Sequence, residues 1–479
     1  MVLAVLLSAN LTATSAEYVE ITQKKSKKTL SVEILSFDGS EITFVTRHGK
    51  KYTIDSNLLT EDSLKALKSK AKVKSTAQQE LYSKVNGCLG QPLFTGDKGL
   101  WEQPAGVVAK RLGWPRESQT DQSSSYRYYP PRDYQFLGTH PYSATLYGGQ
   151  GGATSHLSLV FANKGDFGST SGMGPNHFKK LHPEKVLPNT LEETIEMDAE
   201  LISESLSSAL GESVKQYYGE KEDRRKVKRW NLESHAFLLS EVEGEYTSLL
   251  VVSKKNADME GKVAFVKDSE LKKIVSKNVK KNDNGDTFID NIPMVDQGPK
   301  GYCAPATFER AMRYMLVPAD MYLLATLATS AGGGTNTSAL ADSCKRIVRS
   351  KARRIKDLDL EKDLKMRKVK TYIDKGVPIL WCMRSLEEYN AIANARSKER
   401  ASVKDFSQWG KTISLEAEYV SKRLELNESN YHICMIIGYN EETNELAVSD
   451  SWGARYALRW VHIDIAKAVT SRGGFVIDL

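Results

Sequence analysis

The sequence predicts an α+β chain, and three observations carry that reading. Short strand-like runs separated by turn residues occupy about residues 28–66. An acid-led helical stretch at 189–216 is followed by the apolar runs AFLLS and SLLVVS. A helix with an apolar stripe begins near residue 303 and is answered far downstream by an apolar hairpin at 432–450. Strands and helices grouped in this way need layered packing around more than one core.

At 479 residues the chain has room for about two to four domains of roughly 100–200 residues each. With 40% hydrophobic and 27% charged residues it excludes a wholly disordered chain and a multispan membrane protein. The formal charge of +7 is dispersed among acidic runs, so attraction to anionic surfaces is weak at most.

The elements follow in order. Residues 1–16 hold an apolar run from Val2 to Leu7 and the small residues Thr14 and Ala16 before Glu17. This is the pattern of a secretory signal cleaved after Ala16, although its basic start is missing. A secreted, periplasmic or cell-envelope location is therefore expected. No later run approaches the ~20 apolar residues of a membrane span, so no transmembrane segment is expected in the mature chain.

Residues 17–74 read as a small β-rich module closed by a short helix, with turns at Phe37–Ser40 and His48–Lys50 and alternation at Ile42 and Phe44. The strand-Asp-Gly-strand-Gly-Lys-strand pattern resembles an SLA1-homology-type domain, which implies binding or spacing. Residues 75–134 are rich in Gly, Pro, Tyr and Ser, and Ser123–Ser125 beside Pro130–Pro131 predicts an exposed linker or loop. Its tyrosines are open to stacking on sugars or peptides, but half-buried packing is the commoner use of such rings.

Residues 135–285 are expected to form an α+β accessory domain. A strand there ends at Asn163–Asp166, and the 189–216 helix starts near Asn189 and Thr190 with acidic residues in its first turn. Cell-surface or polysaccharide contact through these accessory regions is an open expectation. Two basic stretches, Arg224–Arg229 and residues 350–370, lack an aromatic reading motif, so no specific nucleic-acid partner is expected. The second is interleaved with Asp357, Asp359, Glu361 and Asp363, which suggests a solvated helical face with local charge pairs.

The chemistry concentrates in residues 286–479. Gly298, Pro299 and Gly301 permit a tight loop from Gln297 to Cys303, and Pro305 suits a first helical turn. Phe308, Ala311, Met312 and Met315 then recur at helical spacing, which puts Cys303 at the N-terminus of an amphipathic helix. Unpaired amides and the helix field there favour thiolate. Downstream, His432 opens a buried-looking strand, and a turn at Asn440–Asn444 returns a second strand that ends at Asp450. Cys303 as nucleophile, His432 as base and Asp450 as its orienting partner fill the three roles of thiol catalysis. Gln297 and the Cys303 backbone N–H are candidate donors to an oxyanion.

These motifs, in this order, resemble the papain-like cysteine peptidases, especially their bacteriocin-processing bacterial branch, over about residues 286–479. The resemblance implies a papain-like α+β domain, a protein or peptide substrate, and neither cofactor nor metal. Asp450 stands where the plant and lysosomal branch has asparagine. Tyr302 and Ala304 flank the cysteine in place of papain's serine and tryptophan, so papain's substrate preference does not transfer. A transglutaminase-like acyltransferase and an inactive binding or adhesion protein are the alternatives.

Each residue also has a plainer role: Cys303 as core, His432 as a satisfied core histidine, Asp450 as a turn or cap, and Gln297 as a stabiliser of its loop. The remaining cysteines, Cys88, Cys344, Cys382 and Cys434, form no CxxC pair with one another or with Cys303. Cys344 and Cys382 are candidates for a disulfide, and Cys434, on the face of His432, is either core packing or a neighbour of the site. Gly332–Gly334 is either a substrate-facing loop or a flexible connection. Trp452 is expected to cover the His432–Asp450 contact or to be plain core.

Overall fold

The computed structural model describes residues 18–37, 40–168, 173–179, 181–182, 187–328, 334–426 and 430–479. The expected signal segment 1–16 and most of Gly332–Gly334 lie outside them. The chain divides into two compact units, Met1–Lys84 with Thr95–Asp97, and Val85–Phe94 with Lys98–Leu479.

In the first unit β1 (Tyr18–Thr22), β2 (Thr29–Phe37), β3 (Glu41–Thr46) and β4 (Lys51–Asp55) form an antiparallel meander. Alternation sends Val19, Ile21, Val32, Ile42 and Phe44 into one small core with Leu59 and Leu67. The helix after it is not short: α1 runs from Glu61 to Leu89. It therefore enters the stretch expected to be a linker.

Within the second unit that stretch is partly regular structure, although Pro130–Pro131 does lie in an irregular segment as expected. It holds α2 (Ala105–Leu112), β5 (Ser118–Gln119) and β6 (Ser124–Tyr128). Ser124 and Ser125 are buried strand residues, and the Ser125 hydroxyl donates to Glu117 at 2.8 Å. Small side chains with satisfied hydroxyls fit an inner strand, and composition alone mistook them for a loop.

These strands begin an eight-stranded antiparallel sheet that continues through β7 (Ser143–Gly148), β8 (Thr154–Asn163), β9 (Val214–Tyr218), β10 (Arg225–Leu232), β11 (His235–Val242) and β12 (Tyr246–Ser253). Their order is β5-β6-β7-β8-β12-β11-β10-β9. A single turn, α3 (Lys164–Phe167), follows β8. The long α4 (Leu191–Leu210) starts in a capping box between Thr190 and Glu193, stops at Gly211, and buries Ile195, Ala199, Ile202 and Leu206. The basic run at 224–229 lies largely in β10, where Arg225 and Arg229 answer Asp223 and Asp258 at 2.8 and 2.7 Å.

Two short helices, α5 (Lys254–Asp258) and α6 (Asp268–Lys277), lead to the second large sheet. Its first strands are β13 (Val279–Lys281) and β14 (Asp286–Ile289). Next come α7 (Cys303–Tyr314), α8 (Met321–Thr326), α9 (Thr337–Ser350), β15 (Arg354–Leu358), α10 (Leu360–Asp363), α11 (Met366–Ile373) and β16 (Ile379–Arg384). The expected helical face at 350–370 is therefore split by strand β15. Ile355 and Leu358 belong to the core, and that burial overrides the local charge pattern.

The chain closes with α12 (Glu387–Arg400), α13 (Phe406–Ser421), β17 (Tyr431–Asn440), β18 (Glu445–Ser449), β19 (Arg459–His462), α14 (Ile463–Val469) and β20 (Thr470–Asp478). The path is β13-β14-β17-β16-β20-β15, with β18 and β19 branching from β17. β17 is buried from His432 onward, and α7 packs in the same core. Gly438 admits β14: a Cβ there would lie 2.6 Å from the Thr287 carbonyl oxygen. The two sheets share one compact unit, so the expected break between an accessory domain at 135–285 and a domain at 286–479 is not a break in packing.

Candidate active site

Cys303 is the first residue of α7, whose opening turn also accepts Pro305. The preceding loop turns at Gly298, where φ is +67°. Burial raises the Cys303 thiol, but the hydrogen bond and charge of His432, with the Ile433 and Ala304 backbone amides, outweigh it and hold the thiol below its ordinary value. The helix start and the histidine thus act together on one sulfur.

His432 lies at the mouth of β17, opposite Met383 on β16. The β17–β18 hairpin pairs Met435 with Ser449, so the residue after Ser449 comes back beside the histidine. Asp450 Oδ1 is 2.9 Å from His432 Nε2. With Nε2 committed to Asp450, Nδ1 is the ring nitrogen left for Cys303, which bonds the same imidazole. Burial opposes the imidazolium, yet Asp450 and Cys303 raise His432 to about 9. Asp450 is itself held low against burial, by the His432 bond and the Arg459 charge.

Three supports were not read from the sequence. Arg459 on β19 donates to Asp450 Oδ2 at 2.5 Å and is held by Asn390 and Asn394 at 3.1 and 3.2 Å. Thr307 on α7 donates to the Ile433 carbonyl at 3.1 Å, which ties the cysteine helix to the histidine strand. Arg310, fully buried, donates to Pro293 O at 3.0 Å and to Ser449 Oγ at 2.5 Å, and so braces the strand that ends at Asp450. Only Arg459 had a signal, since continuing the hairpin count places it opposite Val448 beside Asp450.

Trp452 stacks on the His432 ring at 4.7 Å, and the Arg459 guanidinium lies 5.5 Å from the tryptophan. Gln297 is fastened by its backbone N–H to Ser451 O at 2.9 Å. Its Nε2 donates to Lys300 O at 3.1 Å while Oε1 is buried without a partner. One amide hydrogen of Gln297 therefore remains to be used.

The other cysteines have different surroundings. Burial pushes Cys344 and Cys382 up to about 12, and Cys434 well above the ordinary thiol. Cys344 and Cys382 form no disulfide, so the candidate bridge between them is absent; both side chains pack in the core as small apolar groups. Gly334, the described end of the glycine run, abuts Gly301: a Cβ on Gly301 would stand 3.1 Å from its backbone nitrogen. Among the described residues no three His, Cys, Asp or Glu side chains converge to hold a metal ion.

Residues 289–468 match the model of the Peptidase_C39 like family. The matched stretch contains Gln297, Cys303, His432 and Asp450, and the match agrees with the papain-like peptidase superfamily and with hydrolase potential in general. No curated protein matches the chain. No helix among the described residues is long and apolar enough to cross a membrane.

Proposed function

We propose that the chain is a papain-like cysteine peptidase, of the bacterial branch related to the bacteriocin-processing enzymes, that hydrolyses peptide bonds in a protein or peptide substrate. The observation that carries this reading is the continuous chain of hydrogen bonds from the Cys303 thiol through His432 to Asp450, with the histidine favoured as imidazolium.

The Cys303 thiolate attacks the scissile carbonyl carbon, and the C=O electron pair moves onto oxygen. As the first residue of α7, Cys303 has a backbone N–H with no intrahelical acceptor, and this N–H together with the unused Gln297 amide hydrogen receives the oxyanion. Collapse breaks the C–N bond, and the His432 imidazolium gives its proton to the leaving amine. His432, now neutral, takes a proton from water as that water attacks the thioester. Collapse of this second tetrahedral intermediate breaks the C–S bond, the acid product leaves and the thiolate–imidazolium pair returns. Asp450 and Arg459 hold the ring in place throughout, and Trp452 shields the His432–Asp450 bond from water.

The same reading takes the enzyme to be exported, on the strength of the apolar start and Ala16, and takes the β1–β4 module to be an SLA1-homology-type domain that spaces the peptidase or contacts the cell surface. Mapping the N-terminus of the chain recovered outside cells tests the first point, with Glu17 expected. For the activity, an unstructured protein substrate is incubated with the wild-type chain and with Cys303→Ala, and new N-termini are mapped. New termini with the wild type alone are expected. Product that forms only when an acceptor amine is added contradicts hydrolysis and selects the acyltransferase.

A further inference from the structure

The loop that carries Gln297 is gripped by residues that lie outside the family match. Ser118 Oγ accepts from Met294 N at 3.0 Å, Glu117 Oε1 accepts from Asp296 N at 2.8 Å, and Tyr129 donates its hydroxyl to Asp296 O at 2.5 Å. The Tyr129 ring also lies against Gly298, where a Cβ would meet it at 3.0 Å. Each of these groups comes from the 117–129 stretch of the first large sheet. In the family match, residues 289–468, no counterpart of that sheet is included.

The strongest hold is the buried ammonium of Lys300. Its Nζ is 2.6 Å from Asp166 Oδ2, with the two side chains 3% and 4% exposed. It donates to the Tyr322 hydroxyl at 2.5 Å and sits 5.4, 5.5 and 4.7 Å from the ring centres of Tyr129, Tyr302 and Tyr322. An ammonium is kept out of water only where charge and donors are answered, and here a carboxylate, a hydroxyl and three ring faces do so. Asp166 is in turn fixed in α3 by Asn163, whose Nδ2 donates to Oδ2 at 2.8 Å. The backbone oxygen of the same Lys300 accepts both Gln297 Nε2–H at 3.1 Å and Tyr302 N–H at 2.8 Å. One residue therefore joins the sheet layer, the Gln297 amide and the residue before Cys303.

We infer that Lys300 is a positioning residue: clamped by Asp166 within the tyrosine cage, it fixes the Gln297 amide for the oxyanion and makes the 118–253 sheet a working part of the active-site frame. The inference rests on the peptidase reading. It separates two parts of the site, because the Cys303 thiolate is set by His432 and the Ile433 and Ala304 amides and does not pass through Lys300.

The test uses the full chain with Lys300→Met, Asp166→Asn, Gln297→Ala and the Lys300→Met, Gln297→Ala double variant. Steady-state peptide hydrolysis, the Cys303 alkylation rate and the melting temperature are measured on each. Lys300→Met is expected to lower kcat about 10–100-fold with KM within about 3-fold of wild type, since misplacing a donor costs transition-state binding. Alkylation of Cys303 stays at the wild-type rate. In the Gln297→Ala background the same change costs no more than about 2-fold, because the group it positions is gone.

Wild-type kcat in folded Lys300→Met overturns the inference, as does an equal loss with and without Gln297. Should Lys300→Met fail to fold, Asp166→Asn, similar in size and still able to accept from Lys300, is read by the same three measurements. A wild-type chain that alkylates at Cys303 but cleaves no peptide overturns the peptidase reading itself, and that outcome is distinct because no kcat exists to compare.

Discussion

Two histidine–carboxylate pairs of nearly the same geometry lie in different layers of the second unit. In the first sheet layer His177 Nε2 is 3.0 Å from Asp198 Oδ1; in the second, His432 Nε2 is 2.9 Å from Asp450 Oδ1. Their surroundings differ. Asp198 sits on α4, takes Ala162 N at 2.8 Å on its other oxygen, and is bonded by Thr139; His177 Nδ1 meets the Tyr142 hydroxyl at 3.4 Å. Its partners Thr139, Tyr142 and Ala162 are themselves buried, and the pair fastens α4 to the sheet. His432 instead spends its second nitrogen on a thiol at a helix start, and Asp450 spends its second oxygen on Arg459. A buried His–Asp distance is therefore common to a staple and to a candidate catalytic pair; what faces the other nitrogen separates them.

The largest expected effect breaks the two pairs apart. Cys303→Ala or His432→Ala lowers kcat by about 10⁴-fold or more, as when a nucleophile or its base is removed, with the melting temperature little changed. His177→Ala does the reverse: it strips a partner from the Asp198 carboxylate and costs about 3 kcal/mol of stability, while kcat per folded molecule is unchanged. Peptide hydrolysis and thermal melting of the same preparations read both. Loss of kcat in folded His177→Ala would erase the distinction.

Asp450→Ala comes next, at about 10²–10⁴-fold in kcat, because the imidazole loses its orienting partner and Arg459 is left as a buried unpaired cation. Arg459→Met is milder, about 10-fold, since the His432–Asp450 bond survives. An Arg459→Met loss equal to that of Asp450→Ala would mean that the arginine acts on more than the carboxylate.

Much of the second pair was legible because its members are close in sequence or stand at a punctuated turn. The Gly298–Pro299–Gly301 loop marks the start of α7, and counting along the 432–450 hairpin returns Asp450 to His432. The first pair was not legible, since Thr139, His177 and Asp198 come from separated stretches with no shared periodicity. The same holds for the clamp on the Gln297 loop: Asp166 and Lys300 are 134 residues apart, and neither carries a local signal. The Ser- and Tyr-rich stretch before residue 134 was misread for a related reason. A strand with small hydroxyl side chains facing Glu117 looks like a loop until its partners are known. Composition reports what a segment costs to bury, and tertiary hydrogen bonds decide whether it is buried.

Smaller effects sharpen the comparison through pH. In the proposed mechanism activity needs Cys303 as thiolate and His432 as imidazolium, so it is expected to rise as pH climbs through the lowered thiol value and to fall as His432 loses its proton near about 9. Stability follows the same sign for the histidine. Its raised value contributes fully below the ordinary imidazole range and is lost as pH rises through about 9. Asp450→Asn removes a charge that holds the proton on, and the alkaline limb of the kcat profile moves to lower pH. An unmoved limb would place the control elsewhere. The smallest effect, about 3–10-fold in kcat, is expected for Trp452→Ala, which opens the His432–Asp450 bond to water.

An ion pair between Cys303 and His432 leaves its signature in the pH dependence of Cys303 alkylation. A small uncharged alkylating agent is reacted with the full chain across the pH range, and the Cys303 adduct is quantified by mass spectrometry in wild type and His432→Ala. Fast labelling that persists well below the ordinary thiol range is expected in wild type, retreating toward that range in the variant. Labelling of wild type that rises only in the ordinary thiol range, along the same curve as His432→Ala, would contradict it.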